Sequence, residues 1–151
     1  MLNLFRAVLV WLAVVSAPAF ADRAFMVDAD WLAAEMKNPK LVVLEVRYHP
    51  HRYHTVGHIP GAVQVQRFKD LGDNNGRSIM LFPDRDTFQA TLRKWGVNND
   101  STIVLYDDSR SALTARVAYL LALYGFDMSR VKILDGGTQP DPAPRPRAAT
   151  A

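Results

Sequence analysis

Apolar residues crowd into a few short blocks of this chain, and the blocks differ in period. Residues 41–47, LVVLEVR, are a near-continuous run of β-branched and leucine side chains. Such a run marks a strand covered on both faces, as in a parallel sheet. TIVLYD at 102–107 repeats the pattern, and VKILDGG at 131–137 repeats it again before a Gly-Gly turn. AVQVQ at 62–66 alternates instead, which predicts a fourth, short strand. The segments between carry helical spacing. In VDADWLAAEMKNPK, Asp28 is a good N-cap, Val27 and Leu32 are spaced as a hydrophobic staple, and Asn38-Pro39 stops the helix. In PDRDTFQATLRKWGV, Phe88, Leu92 and Trp95 recur at i, i+4 and i+7, and Gly96 supplies the stop. SALTARVAYLLALYGF is apolar almost throughout and ends at Gly125. A polar excursion over 67–80 contains the turn GDNNG. The order helix, strand, strand, helix, strand, helix, strand predicts βαβ units. The expected fold is α/β, a mostly parallel sheet with helices on both faces.

Both ends break this rhythm. Arg6 precedes an apolar run over 7–15, and small residues lead to Ala19-Phe20-Ala21. A charged start, a hydrophobic stretch and an A-x-A motif predict a secretory signal peptide over 1–21. The run is shorter than the roughly 20 apolar residues of a spanning helix. No stable membrane insertion is therefore expected after cleavage, and the mature protein is expected in the periplasm or secreted. Residues 138–151, TQPDPAPRPRAATA, are rich in Pro, Ala and Arg without apolar period, and predict a disordered tail. The folded domain is expected over 22–137.

Composition narrows function more than fold. The formal net charge of the 151 residues is +3, but Arg6, Arg145 and Arg147 lie in the end segments. The domain itself is close to neutral, with no basic stripe interleaved with aromatics, so nucleic acid is excluded as a partner. The chain has no Cys, which excludes thiolate chemistry by this chain alone. All four histidines fall in YHPHRYHTVGHIPGA, residues 48–62. Their spacing, broken by Pro50 and Arg52, does not match a structural zinc site with three or four converging ligands. His49, His51 and His54 are read as solvated loop residues, and neither a metal nor a cofactor is expected.

Open α/β sheets present their functional residues at the carboxyl ends of strands. Two such ends are EVRYHPHRYHTVGHIPGA and YDDSRSALTAR. In the second, a strand, a short loop and a helix N-terminus gather backbone N–H groups around one point, a ready anion pocket. Its candidate residues are Arg47, Asp107, Asp108, Ser109, Arg110 and Arg116. Simpler roles compete with this one. Asp107 can cap the helix and satisfy the loop amides, and Arg47 can pair with Glu45 or with the aspartates at 107–108. An Asp after a strand also fits the nucleophile of haloacid-dehalogenase-type phosphatases. Those need a second Asp two residues on, where this chain has Ser109.

Several motifs, in order and at matching intervals, resemble the rhodanese-like sulfurtransferases over about residues 27–137. LVVLEVRY resembles the family's strand ending in Asp-x-Arg, with Glu45 where the family has Asp. GHIPGAVQV resembles its His-Ile-Pro-Gly-Ala signature, carried by His58, Pro60 and Gly61. FQATLRKWGVNNDSTIVLYD resembles the helix and central strand that lead to the active-site loop, and LLALYGFDMSRVKILDGG its closing helix and strand. The resemblance is closest to the N-terminal half of the two-domain thiosulfate and 3-mercaptopyruvate sulfurtransferases. It implies a rhodanese-like three-layer sandwich, with His58 holding its loop by hydrogen bonds. It also implies the family's sulfane-sulfur transfer, in which a Cys at the end of the central strand carries a persulfide. Asp107 occupies that position, so no catalytic residue is expected here. The implied partners are a small sulfur-containing anion or a catalytic rhodanese domain. The family also has a Trp soon after the Gly-Gly, where this chain continues TQPDPAPRPRAATA. The chain is therefore expected to be an inactive or truncated half of an exported enzyme. The alternative is a stand-alone, non-catalytic module that binds an anion or a protein.

Overall fold

A computed structural model describes residues 25–72 and 81–138. The leader expected over 1–21 and the tail from 139 onward lie outside them. Five strands form one sheet: β1 (Met26–Val27), β2 (Leu41–Val46), β3 (Val63–Val65), β4 (Thr102–Asp107) and β5 (Val131–Leu134). Their order across the sheet is β1-β5-β4-β2-β3, and every pairing is parallel. β4 is the middle strand, buried from Ile103 to its end. That is why its sequence is a continuous apolar run rather than an alternation.

The strand period of two assigns side chains to two cores. Ile103 and Leu105 of β4, with Leu44 and Val46 of β2, pack on Phe88, Trp95, Val117, Leu120 and Leu121. These last come from α3 (Arg85–Lys94), its C-cap and α4 (Ala112–Leu123). Val104 and Tyr106 face the other way and pack with Val43, Leu134 and Leu32, the last on α1 (Ala29–Glu35). The three layers are thus α1, sheet, and α3 with α4. The helix starts follow local chemistry. Asp28 and Asp84 each accept a hydrogen bond at 2.8 Å from a backbone N–H three residues on, that of Trp31 and of Thr87.

Three features depart from the sequence pattern. β1 is only two residues long, and its strand geometry comes from β5, with Met26 opposite Ile133 and Val27 opposite Leu134. Residues expected to be plain loop contain one helical turn, α2 (Arg52–Thr55). It has no apolar period of its own. The run at 131–137 stops being strand at Leu134, because Asp135 begins the Gly-Gly turn after Asp135 N–H has bonded to the Val27 carbonyl at 2.8 Å. Of the tail expected over 138–151, only Thr138 lies among the described residues. Its N–H donates to the Asp107 carbonyl at 3.0 Å.

Candidate functional site

β4 ends at Asp107, and the chain turns through Asp108, Ser109, Arg110 and Ser111 before α4 begins. Arg110 and Ser111 both have positive φ, 54° and 66°, a conformation that costs non-glycine residues energy and needs outside support. The support is Asp107. Its Oδ1 accepts from the N–H groups of Ser109 and Ser111, each at 2.9 Å. Its Oδ2 accepts from the N–H groups of Leu113 and Thr114, each at 2.9 Å, and from the Thr114 hydroxyl at 3.3 Å. Ser111, at the N-cap position, makes no side-chain cap. The first turn of α4 is instead capped from the end of the strand. The carboxylate is 3% exposed. The ring of amides is therefore already filled by an anion, and that anion is part of the chain. Its backbone is crowded too. A Cβ on Gly137, whose φ is 57°, would lie 2.3 Å from the Asp107 carbonyl oxygen.

A second buried polar cluster lies beside this loop. Glu45 and Tyr106 are opposite each other in the β2–β4 register. The Tyr106 hydroxyl donates to Glu45 Oε2 at 2.5 Å and accepts from the Ile59 N–H at 3.0 Å. Burial, helped by the bond to Glu45, pushes the Tyr106 phenol well above the ordinary tyrosine range. Arg47 Nε donates to the other oxygen of Glu45, and its terminal nitrogens reach the carbonyls of Arg52 and Gly57. The three groups are buried together, so each charge has its partner. The Tyr53 hydroxyl reaches the Ala62 carbonyl, and the His58 ring stacks on Tyr53 with centroids 3.7 Å apart. His58 Nδ1 donates to the Tyr53 carbonyl at 3.0 Å. Segment 47–62 is thereby fastened to the sheet from within. Its outer side forms one wall of a concavity of about 850 Å³, bounded by Arg52, His58, Ile59, Tyr106, Asp108 and Thr138.

The six expected pocket residues occupy separate environments. Asp107 fills the amide ring. Asp108 lies outside the amide ring with its side chain largely covered, accepting from the Tyr48 N–H at 2.8 Å and meeting Arg52 at 3.3 Å. Arg47 borders the concavity, with one donor each from its three nitrogens directed to Glu45 and two carbonyls. Arg116 points away, to the Leu71 carbonyl at 2.9 Å and over the Phe82 ring at 4.6 Å. Burial lowers its pKa. Arg110 is exposed, and Ser109 contributes its backbone N–H rather than its hydroxyl. Pro60 and the signature residue His58 line the concavity, and Gly61 makes the turn before Ala62, with φ 78°. His49 and His51 lie with ring centroids 5.7 Å apart. Sequence reasoning missed Tyr106, Tyr53 and Thr114. The signal for Tyr106 was its place two residues after Val104, on the same face of a strand that is otherwise apolar.

Over residues 28–140 the chain matches the profile of the Rhodanese-like domain. It belongs to the rhodanese-like family. The chain is 34% identical over 123 residues to a thiosulfate sulfurtransferase of Corynebacterium glutamicum, a match covering 80% of this chain and 39% of the relative. It is 29% identical over 121 residues to a 3-mercaptopyruvate sulfurtransferase of Escherichia coli, covering 75% and 42%. The crystal structure of the Escherichia coli 3-mercaptopyruvate sulfotransferase SseA superimposes with a TM-score of 0.64 at 30% identity. That superposition covers 76% of this chain and 46% of SseA. This rhodanese-like chain thus spans about two fifths of the length of the sulfurtransferases it matches. Its parallel five-stranded sheet with helices is the rhodanese α/β fold.

Proposed function

We propose that this rhodanese-like chain acts as the cysteine-free, non-catalytic half of an exported thiosulfate or 3-mercaptopyruvate sulfurtransferase. The observation that carries the reading is Asp107. It stands where the central strand meets the amide ring, and its carboxylate accepts from four backbone N–H groups there. A sulfur-carrying thiolate has no place in a ring so filled, and the chain has no Cys to supply one. An anionic donor entering the ring would also meet a buried negative charge. The role left to this half is structural and electrostatic. Its Glu45–Arg47–Tyr106 cluster holds segment 47–62 rigid, and the concavity beside it forms one side of a cleft for a small sulfur-containing anion. A Cys-bearing rhodanese domain supplies the other side. Likeness to relatives named as sulfurtransferases supports this reading, as does the share of their length that the chain spans. Export rests on the leader pattern over 1–21.

A thiosulfate:cyanide assay on the purified chain tests the central point. Turnover at background is expected, and clear turnover would refute the non-catalytic role. Fusing residues 1–21 to a reporter active only outside the cytoplasm tests export, and a silent reporter would sink that part. A second reading is a stand-alone module that binds an anion or a protein, favoured by how completely Asp107 satisfies the loop on its own. Adding a purified Cys-bearing rhodanese domain separates the two. Enhanced sulfur transfer supports the first reading, and unchanged transfer supports the second.

A further inference from the structure

At the opposite end of the sheet from Asp107 lies a groove of about 340 Å³ between α3, the loop before β4 and the end of α4. The six residues of β4 separate it from Asp107, roughly 20 Å at the rise of an extended chain. Its apolar part is a strip formed by the half-buried Leu92, Tyr124 and Phe126, with Phe88, Val97 and Leu121 buried beneath it. The rings of Phe88 and Tyr124 lie 5.5 Å apart. The Tyr124 hydroxyl is committed to the Pro83 carbonyl, which fixes that ring as a wall. The rim is polar and of one sign. Arg85 and Arg93 stand on the same stripe of α3, about 12 Å apart along the axis, with Gln89 between them and Asn98 and Asn99 opposite. Among the described residues no carboxylate lines the groove. Among the described residues neither guanidinium has a hydrogen-bond or ion-pair partner, although Lys40, Lys94 and Arg130 on the same molecule all have one.

We propose that this groove is a binding site for a small organic anion with an apolar, planar body. The body lies on the Leu92–Tyr124–Phe126 strip, and the sulfonate, carboxylate or phosphate end meets the arginine rim. The volume is that of a small-molecule site. Its layout, a narrow apolar strip between polar rims, fixes the orientation of such a ligand. A guanidinium is weakly hydrated and offers a planar fork to an oxyanion, so two exposed arginines on one rim favour this class over a neutral one. The site is remote from the sulfurtransferase-like loop and does not depend on the role proposed for that loop.

The test uses the folded chain and two probes, anilinonaphthalene sulfonate and its uncharged counterpart phenylnaphthylamine. Saturable sulfonate binding is expected, with amide NMR shifts at Leu92, Val97, Asn99 and Phe126. The double variant R85Q/R93Q, which changes only exposed side chains, should weaken the sulfonate at least tenfold and leave the amine unchanged. Q89E should weaken the sulfonate as well, by adding an opposing charge to the rim. An unchanged melting temperature shows that each variant is folded. The proposal falls if sulfonate binding is not saturable or if R85Q/R93Q binds it as the parent does. It also falls if the shifts map to residues 107–111 or to the exposed Phe82 and Tyr119.

Discussion

Asp107 carries more of this molecule than any other single side chain. It accepts five hydrogen bonds, four of them from backbone N–H groups that lose contact with water. Removing one partner of a buried hydrogen bond strands the other at a cost of about 1–3 kcal/mol. The Asp107→Ala variant should therefore lose at least about 3 kcal/mol in urea denaturation. Asp107→Cys should fold poorly and show only background sulfur transfer in the cyanide assay. One sulfur replaces two oxygens that serve four amides, so two or more N–H groups stay unpaired. Gly137 is the other sensitive position. Its positive φ and the 2.3 Å approach to the Asp107 carbonyl leave no room for a side chain. Gly137→Ala should destabilise the domain on the order of 3 kcal/mol, read from the same denaturation curves.

Among the elements, β2 and β4 act as a unit because the Glu45–Tyr106 bond crosses between them. Tyr106→Phe deletes one hydroxyl that bonds both Glu45 and the Ile59 N–H, and should cost about 1–3 kcal/mol. The same hydroxyl sets an alkaline limit. Its pKa is raised in the folded state, first by burial and then by the bond to Glu45. Its contribution is thus fully present below the pKa of an unfolded tyrosine, about 10, and is lost as pH rises through the higher folded value. Tyr53, also raised by burial, adds to the same trend. Stability should fall above about pH 10, and Tyr106→Phe should flatten that fall in a phenolate absorbance titration run beside denaturation. The elements built from local pattern were readable in advance. β2, β4, α3 and α4 announce themselves by period, cap and stop, and the structure ends them within a few residues of the expected positions. β1 was not readable because a distant strand, β5, creates it, and α2 was not because a single turn of local backbone bonds carries no apolar period. The site divides the same way. That Asp107 stands at the end of the central strand is plain from YDDSRSALTAR. Where Arg47 and Arg116 point depends on carbonyls at 52, 57 and 71, which no local pattern reveals.

For the molecule as a whole, stability grades outward from the centre of the sheet. β4 is flanked on both sides and covered on both faces, whereas β1 and β3 are short edge strands. Amide hydrogen exchange should be slowest over Ile103 to Tyr106 and fastest in β1 and α2, since local openings need fewer broken contacts there. Equal protection across the sheet would contradict this ranking. The strand order has a consequence for how the chain is made. With every neighbour parallel, no two strands can zip as a hairpin, and the first strand finds its place only against the last, Met26 beside Ile133. A nascent chain therefore emerges with its first strand waiting, and cannot close the sheet until nearly the whole domain has left the ribosome. Until then the partly made sheet stays open, its parallel strands waiting for their last neighbour.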